Sequence, residues 1–344
     1  MENNTTQKPF ISFCMSTYNR PVFLETQLTS LLKQSYTNFE IIISDNDVAQ
    51  SAKNVANSFL DKRIKYFANE ENLGMIKSFN KSVGRSSGEF IIMITDDDPL
   101  YFETLQTLVD LSNQFPLYGV YAGCGDWIIA NQYAVDTQKM PVGTHAKLSP
   151  YLNDKEVVLI EKENFIYEYI AGKLSKSFLL WSCAMVRRSV LLKVNGIPDY
   201  GSEFLGDHAY IITVSSQLGM VYKNTSLGGQ LVHGANFGYD FYKVINKYIN
   251  TPTLFYNYLK LNLSHLSTWE KNVPILWNYI GRGWVEYSLM LFHSLKHSKK
   301  TKVDFYKAFN QAFSLKEIKM WKYKFYIKAY SNNLFKLLLK LKSI

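Results

Sequence analysis

The chain has 344 residues, 47% of them hydrophobic and 19% charged, with a formal net charge of +9 at pH 7. That composition excludes a disordered chain, and Gly and Pro are too few for a fibrous one. The charge is uneven: residues 241–344 hold 18 Lys+Arg against 4 Asp+Glu, leaving 20 against 25 in residues 1–240.

The first half alternates between two periods. Short apolar runs at Phe10–Met15, Phe39–Ser44, Ile64–Ala68 and Phe90–Ile94 predict strands buried on both faces. Between them, Val22–Lys33, Ala49–Leu60 and Met75–Val83 have helical spacing, so the order predicts a mostly parallel sheet with helices on both faces. Gly88 closes the third helical segment, and Pro99 opens the next helix, expected over Leu100–Phe115. From Tyr118 to about Ile160 the pattern is irregular and reads as a strand followed by an insertion. A helix at Glu161–Ala171, a strand at Phe178–Val186 and a short helix after Arg188 come next. A loop at Asn195–Leu205, a helix at Asp207–Leu218 and a strand near Met220–Lys223 complete this part. Beyond about residue 240, Lys and aromatic residues dominate and no strand is expected. The chain therefore reads as an α/β domain, 1–240, followed by a basic, aromatic-rich helical region, 241–344.

Three widely spaced cysteines, Cys14, Cys124 and Cys183, support neither a disulfide framework nor a zinc ribbon, and a reducing, cytoplasmic setting is expected. The stretch MENNTTQKPF lacks the pattern of a secretory signal, and no apolar run reaches the roughly 18 residues that span a bilayer. The expectation is a protein that is neither exported by that route nor integral.

Three polar loops follow predicted strands on one edge of the sheet: Ser16–Pro21 (STYNRP), Ser44–Asp47 (SDND) and Thr95–Pro99 (TDDDP). In open α/β sheets, ligands bind at the carboxyl ends of the strands. Three crowded carboxylates, Asp96, Asp97 and Asp98, repel one another unless a proton or cation neutralises them. A hard divalent ion shared with substrate phosphates is one solution. A helix N-cap at Asp98 followed by Pro99 accounts for one aspartate, not three. In the first two loops, Tyr18 offers a face on which a base can stack, and Asp45 can accept an imide N–H. Each of these two loops alone also reads as an ordinary polar turn.

Together, in this order, the loops resemble the nucleotide-sugar-dependent glycosyltransferases of family 2, which have a GT-A fold. The matching stretches are Ser16–Arg20, Asp45–Asp47, Asn72-Leu73-Gly74 with Asn80, and Thr95–Asp98. Beyond the insertion come Ser182–Arg188, Gly196, Gly206-Asp207, Gly219 and His233, so the resemblance covers about residues 9–240. It departs from the family where Ser16 replaces a proline, where TDDD replaces D-x-D-D, and where Gly206 replaces the glutamate of an E-D pair. The TDDD register is open: Asp97 is the principal metal ligand in one, and Asp96 with Asp98 in the other, since alternate residues of a strand share a face.

The resemblance implies an inverting transfer of a sugar from a nucleoside diphosphate sugar, UDP-linked by family habit, to an acceptor hydroxyl. It implies Asp207 as the catalytic base, and a divalent metal, Mn2+ or Mg2+, held by Asp96, Asp97, Asp98 and His233. Donor contacts fall to Thr17, Tyr18, Arg20, Asp45, Asn72, Asp96 and Asp97. On sequence alone, Asp207 reads equally as an N-cap after Gly206. The implied setting is surface polysaccharide or O-antigen assembly on a lipid-linked saccharide. A non-catalytic nucleotide-sugar or polysaccharide binding module is the alternative.

A dinucleotide-binding G-x-G-x-x-G is absent after the first strand, and Tyr256 with Lys260 is a chance i,i+4 pair. Among the 18 basic residues of the last third only Arg282 is an arginine, so specific nucleic-acid binding is not expected. Phe305, Phe309 and Phe313 recur every four residues, and Leu334, Leu337, Leu338 and Leu341 keep helical spacing. With Lys336, Lys340 and Lys342 they read as an apolar face for an anionic inner leaflet, or as a helical pair that packs on the domain or builds a homo-oligomer.

Overall fold

The computed structural model describes residues 8–129, 145–147, 156–176, 179–233, 245–294 and 299–330. Its first half alternates strand and helix: β1 (Ile11–Thr17), α1 (Pro21–Leu32), β2 (Phe39–Asp45), α2 (Lys53–Ser58), β3 (Ile64–Ala68), α3 (Met75–Arg85), β4 (Phe90–Ile94) and α4 (Thr104–Gln114). Then follow β5 (Val120–Ile129), β6 (His145–Lys147), β7 (Val157–Ile160), α5 (Phe165–Ile170), β8 (Ala184–Arg187), α6 (Arg188–Lys193), α7 (Gly206–Leu218) and β9 (Met220–Val232). The strand order is β3-β2-β1-β4-β8-β5-β9-β7, with β6 paired to β5. Strands β1 to β4 are mutually parallel, and β5 runs parallel to β9. β8 is antiparallel to both β4 and β5, and β7 to β9. This is the expected α/β architecture. β2 and β4 are buried at every position and β1 at all but Ser16, because helices cover both faces.

Four elements differ from the sequence reading, each for a local reason. Helix α4 starts at Thr104 rather than Leu100, because Leu100 bridges Gly228 and the Tyr101 N–H bonds the Leu227 carbonyl. β9 runs nine residues beyond Lys223, through NTSLGG, because it pairs with β5 along its length with register shifts at Gly123–Gly125. Its glycines are needed there: a Cβ on Gly228 would lie 2.7 Å from the Pro99 carbonyl oxygen. The helix expected from Glu161 begins as a 3-10 turn, Lys162–Asn164. The strand expected from Phe178 begins only at Ala184, after a 3-10 turn at Trp181–Cys183, and Phe178 itself lies outside the described residues.

The chain divides into two units, Met1–Asp199 with Leu205–Asn236, and Tyr200–Phe204 with Phe237–Ile344. The second holds α8 (Ile245–Leu263), α9 (Trp269–Ser294), α10 (Lys299–Ala312) and a helix at residues 321–330, here α11. Its core is aromatic. Tyr248 stacks on Trp284 at 5.2 Å, Tyr256 stacks on Trp277 at 4.5 Å, and the Ser202 hydroxyl bonds that of Thr251 at 2.5 Å. Phe305, Phe309 and Phe313 are buried, and Phe309 lies 4.4 Å from Phe325 of α11. That overturns their reading as a lipid-facing stripe: the four-residue spacing is real, but its partner is another helix. Leu334, Leu337, Leu338 and Leu341 and their lysines lie outside the described residues. Among the described residues no helix is long and apolar enough to cross a membrane.

Candidate active site

The acidic loop after β4 is pinned from two sides. Gln27 and Ser30 of α1, and Gln34 just beyond its end, donate to the carbonyls of Asp98 (2.8 Å), Leu100 (3.0 Å) and Tyr101 (2.8 Å). From the other side, the Gly229 N–H donates to the Pro99 carbonyl at 2.9 Å, and the Leu231 N–H to Asp98 Oδ1 at 3.2 Å. The strand β9 that makes these bonds ends one residue before His233, so the same pairing that fixes the loop delivers the histidine to it.

The side chains meet there. Thr17 Oγ1 donates to Asp96 Oδ2 at 2.7 Å, and Arg20 Nη1 reaches Asp97 Oδ2 at 2.8 Å and Asp96 Oδ1 at 3.3 Å. His233 Nε2 lies 3.1 Å from Asp97 Oδ2. Phe23 stacks on the His233 ring, with centroids 4.5 Å apart and planes at 30°, and the Arg20 guanidinium carbon sits 5.9 Å from the Phe23 ring centre. Loops from β1, β4 and β9 thus converge on one buried acidic cluster.

Its electrostatics follow from burial. Desolvation, joined by the charge of Asp97, pushes the Asp96 carboxyl up to about 6 against the opposing bonds from Thr17 and Arg20. Burial and the same neighbour push Asp98 up as well. Burial alone would also raise Asp97, but the hydrogen bond from His233 and the charge of Arg20 hold it below the usual carboxylate range. Asp97 is therefore the most acidic of the three adjacent carboxyls. A bound cation would change that balance.

A second cluster lies at the end of β2. Asn46 Nδ2 donates to Asn72 Oδ1 at 2.7 Å, while its own Oδ1 accepts the Leu73 N–H at 2.9 Å. Asp45 is fully buried and accepts from the Tyr66 hydroxyl (2.7 Å) and the N–H groups of Asp47 (3.0 Å) and Ala52 (3.3 Å). These three bonds leave the carboxylate about one further acceptor position. Tyr18 follows β1 and is 53% exposed. Asp207 opens α7, its side chain 38% exposed, and its Oδ1 accepts the His208 N–H at 2.9 Å. His208 Nδ1 lies 2.6 Å from the Tyr169 hydroxyl.

Of the four side chains expected around a cation, Asp97 and His233 are juxtaposed, Asp96 is bonded by Thr17 and Arg20, and Asp98 meets the Leu231 amide. Among the described residues no group of three His, Cys, Asp or Glu is gathered as a metal cluster. Phe23 and Gln27 escaped the sequence reading, since on a helix both look like ordinary packing residues. Their only signal is their place on the helix that follows STYNRP, three and seven residues after Arg20.

Residues 12–194, more than half of the chain, match the family model described as glycosyl transferase family 2. The chain belongs to glycosyl transferase family 2. Among its curated relatives is a GalNAc(5)-diNAcBac-PP-undecaprenol beta-1,3-glucosyltransferase of Campylobacter jejuni, 35% identical over 109 residues, which are 31% of this chain and 35% of that protein. Another is the Escherichia coli UDP-Glc:alpha-D-GlcNAc-diphosphoundecaprenol beta-1,3-glucosyltransferase WfgD, 29% identical over 114 residues, 32% of this chain and 45% of that protein. The chain thus matches less than half the length of either family 2 relative. Staphylococcus aureus TarS 1-349 in complex with UDP superposes with a TM-score of 0.58 at 18% identity, covering 94% of this chain and 88% of that one. At that identity the likeness is one of fold, the GT-A fold of family 2.

Proposed function

We propose that this protein is an inverting glycosyltransferase that moves a sugar from a UDP-linked donor to a hydroxyl of a lipid-linked saccharide, in surface polysaccharide or O-antigen assembly. The observation that carries the reading is the convergence of Thr17, Arg20, Asp96, Asp97 and His233 on one buried acidic cluster at the strand ends. The undecaprenol-linked substrates in the names of the two relatives, and the UDP in the superposed structure, support the choice of acceptor and nucleotide. The chemistry is assigned to the first unit, and its setting to the cytoplasmic face of the membrane.

A carboxylate oxygen and an imidazole nitrogen 3.1 Å apart are near enough to share one divalent cation, and the nitrogen favours Mn2+ over the oxygen-seeking Mg2+. Asp97 and His233 would hold such an ion, with Asp96 and Asp98 beside it. The ion supplies charge neutralisation to the departing diphosphate. The chain's own residues do the rest. Thr17 fixes the Asp96 rotamer, and Phe23 holds the plane of the His233 ring. Arg20, already between two carboxylates, adds a guanidinium charge on the side where the phosphates would lie. Tyr18 and the Asn46–Asn72 loop form the base and ribose side.

For the transfer, the acceptor O–H gives its proton to the Asp207 carboxylate as the new O–C1 bond forms and the C1–O bond to the diphosphate breaks. A base in that role must sit within hydrogen-bond reach of the acceptor hydroxyl. Asp207 stands at the N-terminus of α7, where its Oδ1 accepts the His208 N–H. Incubation with UDP-sugars and undecaprenyl-diphosphate saccharides tests the proposal. A new glycosidic bond of opposite anomeric configuration supports it. Donor binding with neither transfer nor hydrolysis would reassign the chain as a binding module.

A further inference from the structure

Helix α11 carries apolar residues on two sides. Phe325 faces inward and packs on Phe309 and Phe292. On another side Tyr323 and Ile327, four residues apart, are 66% and 68% exposed, with Met320, 67% exposed, just ahead of the helix; Tyr330, 40% exposed, ends the stripe and is anchored by the Phe292 ring and the Tyr306 hydroxyl. Singly, exposed apolar side chains need no explanation, but four in one stripe mark a contact surface.

The surroundings of the stripe say what covers it. At 100° per residue Lys322 lies along one edge and Lys324 along the other. Lys324 Nζ sits 4.0 Å over the Trp321 ring, so its stem already lies along apolar surface. Glu286 is paired with Lys328, and Glu317 stands three residues before Met320 in the chain. Over residues 241–344 basic residues outnumber acidic ones 18 to 4. That charge repels a second copy of the same face and any basic partner. Ile327 and Met320 give bases nothing to stack on, which disfavours single-stranded nucleic acid. Apolar side chains flanked by lysines whose stems reach outward fit the boundary between acyl chains and anionic headgroups.

We infer that the face formed by Met320, Tyr323, Ile327 and Tyr330, flanked by Lys322 and Lys324, docks on an anionic phospholipid surface. The inference deepens the proposed function, because a lipid-linked acceptor is presented at such a surface. It replaces the buried Phe305–Phe313 stripe as the lipid contact.

The test is co-sedimentation of the full chain with phosphatidylcholine vesicles, with and without phosphatidylglycerol. These vesicles carry no saccharide, so the outcome is independent of whether transfer occurs. Wild-type protein is expected to bind the phosphatidylglycerol vesicles and release with salt. Tyr323→Ser/Ile327→Ser should weaken binding by about ten-fold or more, with an unchanged circular dichroism spectrum since both side chains are exposed. Lys322→Gln/Lys324→Gln should weaken it by about five-fold per lysine. Equal binding by the Ser variant, or no preference of the wild type for anionic vesicles, would overturn the inference. A wild-type dimer in sedimentation velocity that the Ser variant breaks would overturn it too, in favour of self-contact.

Discussion

The backbone ahead of Asp207 is held by one asparagine, and removing it gives a quantitative test. Asn80, on α3, donates through Nδ2 to the Ile197 carbonyl at 2.9 Å and accepts the Ile197 N–H through Oδ1 at 2.7 Å. Gly196 sits at φ +81°, and a Cβ there would collide with Asn80 Oδ1. Asn80→Ala removes both bonds and should cost about 2 kcal/mol, at about 1 kcal/mol each. Gly196→Ala adds left-handed backbone strain of about 1 kcal/mol. It also displaces Asn80, so its cost is about 3 kcal/mol. Once Asn80 is gone the collision vanishes. The double variant should therefore cost about as much as Gly196→Ala alone, leaving a coupling near 2 kcal/mol rather than additivity. Urea unfolding of the first unit, followed by hydrogen exchange in peptides from residues 8–129 and 179–199, supplies the four values. Additive costs would refute the clamp, as would an Ile197 amide that exchanges no faster in Asn80→Ala.

Glu40 tests the opposite edge of the sheet. Burial alone would raise its pKa, but bonds from Lys65 (2.6 Å), Ser12 (2.7 Å) and Ser87 (2.6 Å from the N–H) hold it below its ordinary value. A depressed folded pKa contributes stability above the unfolded value of about 4.3, lost as pH falls through the lower folded one. Glu40→Gln should flatten the stability profile below about pH 4.5, and an unchanged acid slope would contradict this. Phe23→Ala should weaken Mn2+-dependent UDP binding by about ten-fold through loss of the ring that orients His233, measured by calorimetry. Gly228→Ala should displace the Pro99 carbonyl and impair both thermal stability and donor binding, read by melting with and without UDP and Mn2+.

Much of this architecture is legible in the sequence, for definable reasons. β1, β2 and β4 are apolar at nearly every position because two helical layers bury them, whereas β3, expected to be buried on both faces, is the edge strand and only half-buried. The site loops were legible as an ordered set, since the carboxyl ends of parallel strands are where polar residues gather. What escaped depends on long-range pairing. Leu100 and Tyr101 look helical but are drawn into pairing with β9. NTSLGG looks like a loop, but β5 makes it strand. Phe23 touches His233, 210 positions away in the chain, and nothing in α1 announces that. Phe305, Phe309 and Phe313 revealed a helix face without revealing what it meets. Asp45 shows the same limit, because its donors from Tyr66 and Ala52 become visible only once β3 and α2 are in place.

Ligand linkage checks the cation more directly than any single substitution. Mn2+ and UDP at about 100 times their dissociation constant should stabilise the wild type by about 2.7 kcal/mol, and Asp97→Asn should abolish most of that gain. The central claim rests on Asp207 as the base, and the most direct measurement is the single-turnover transfer rate of Asp207→Asn beside its affinity for donor. The account predicts a rate at least about a thousand-fold lower, with donor affinity unchanged. Transfer at an undiminished rate, or a collapse of donor binding in that variant, would contradict it.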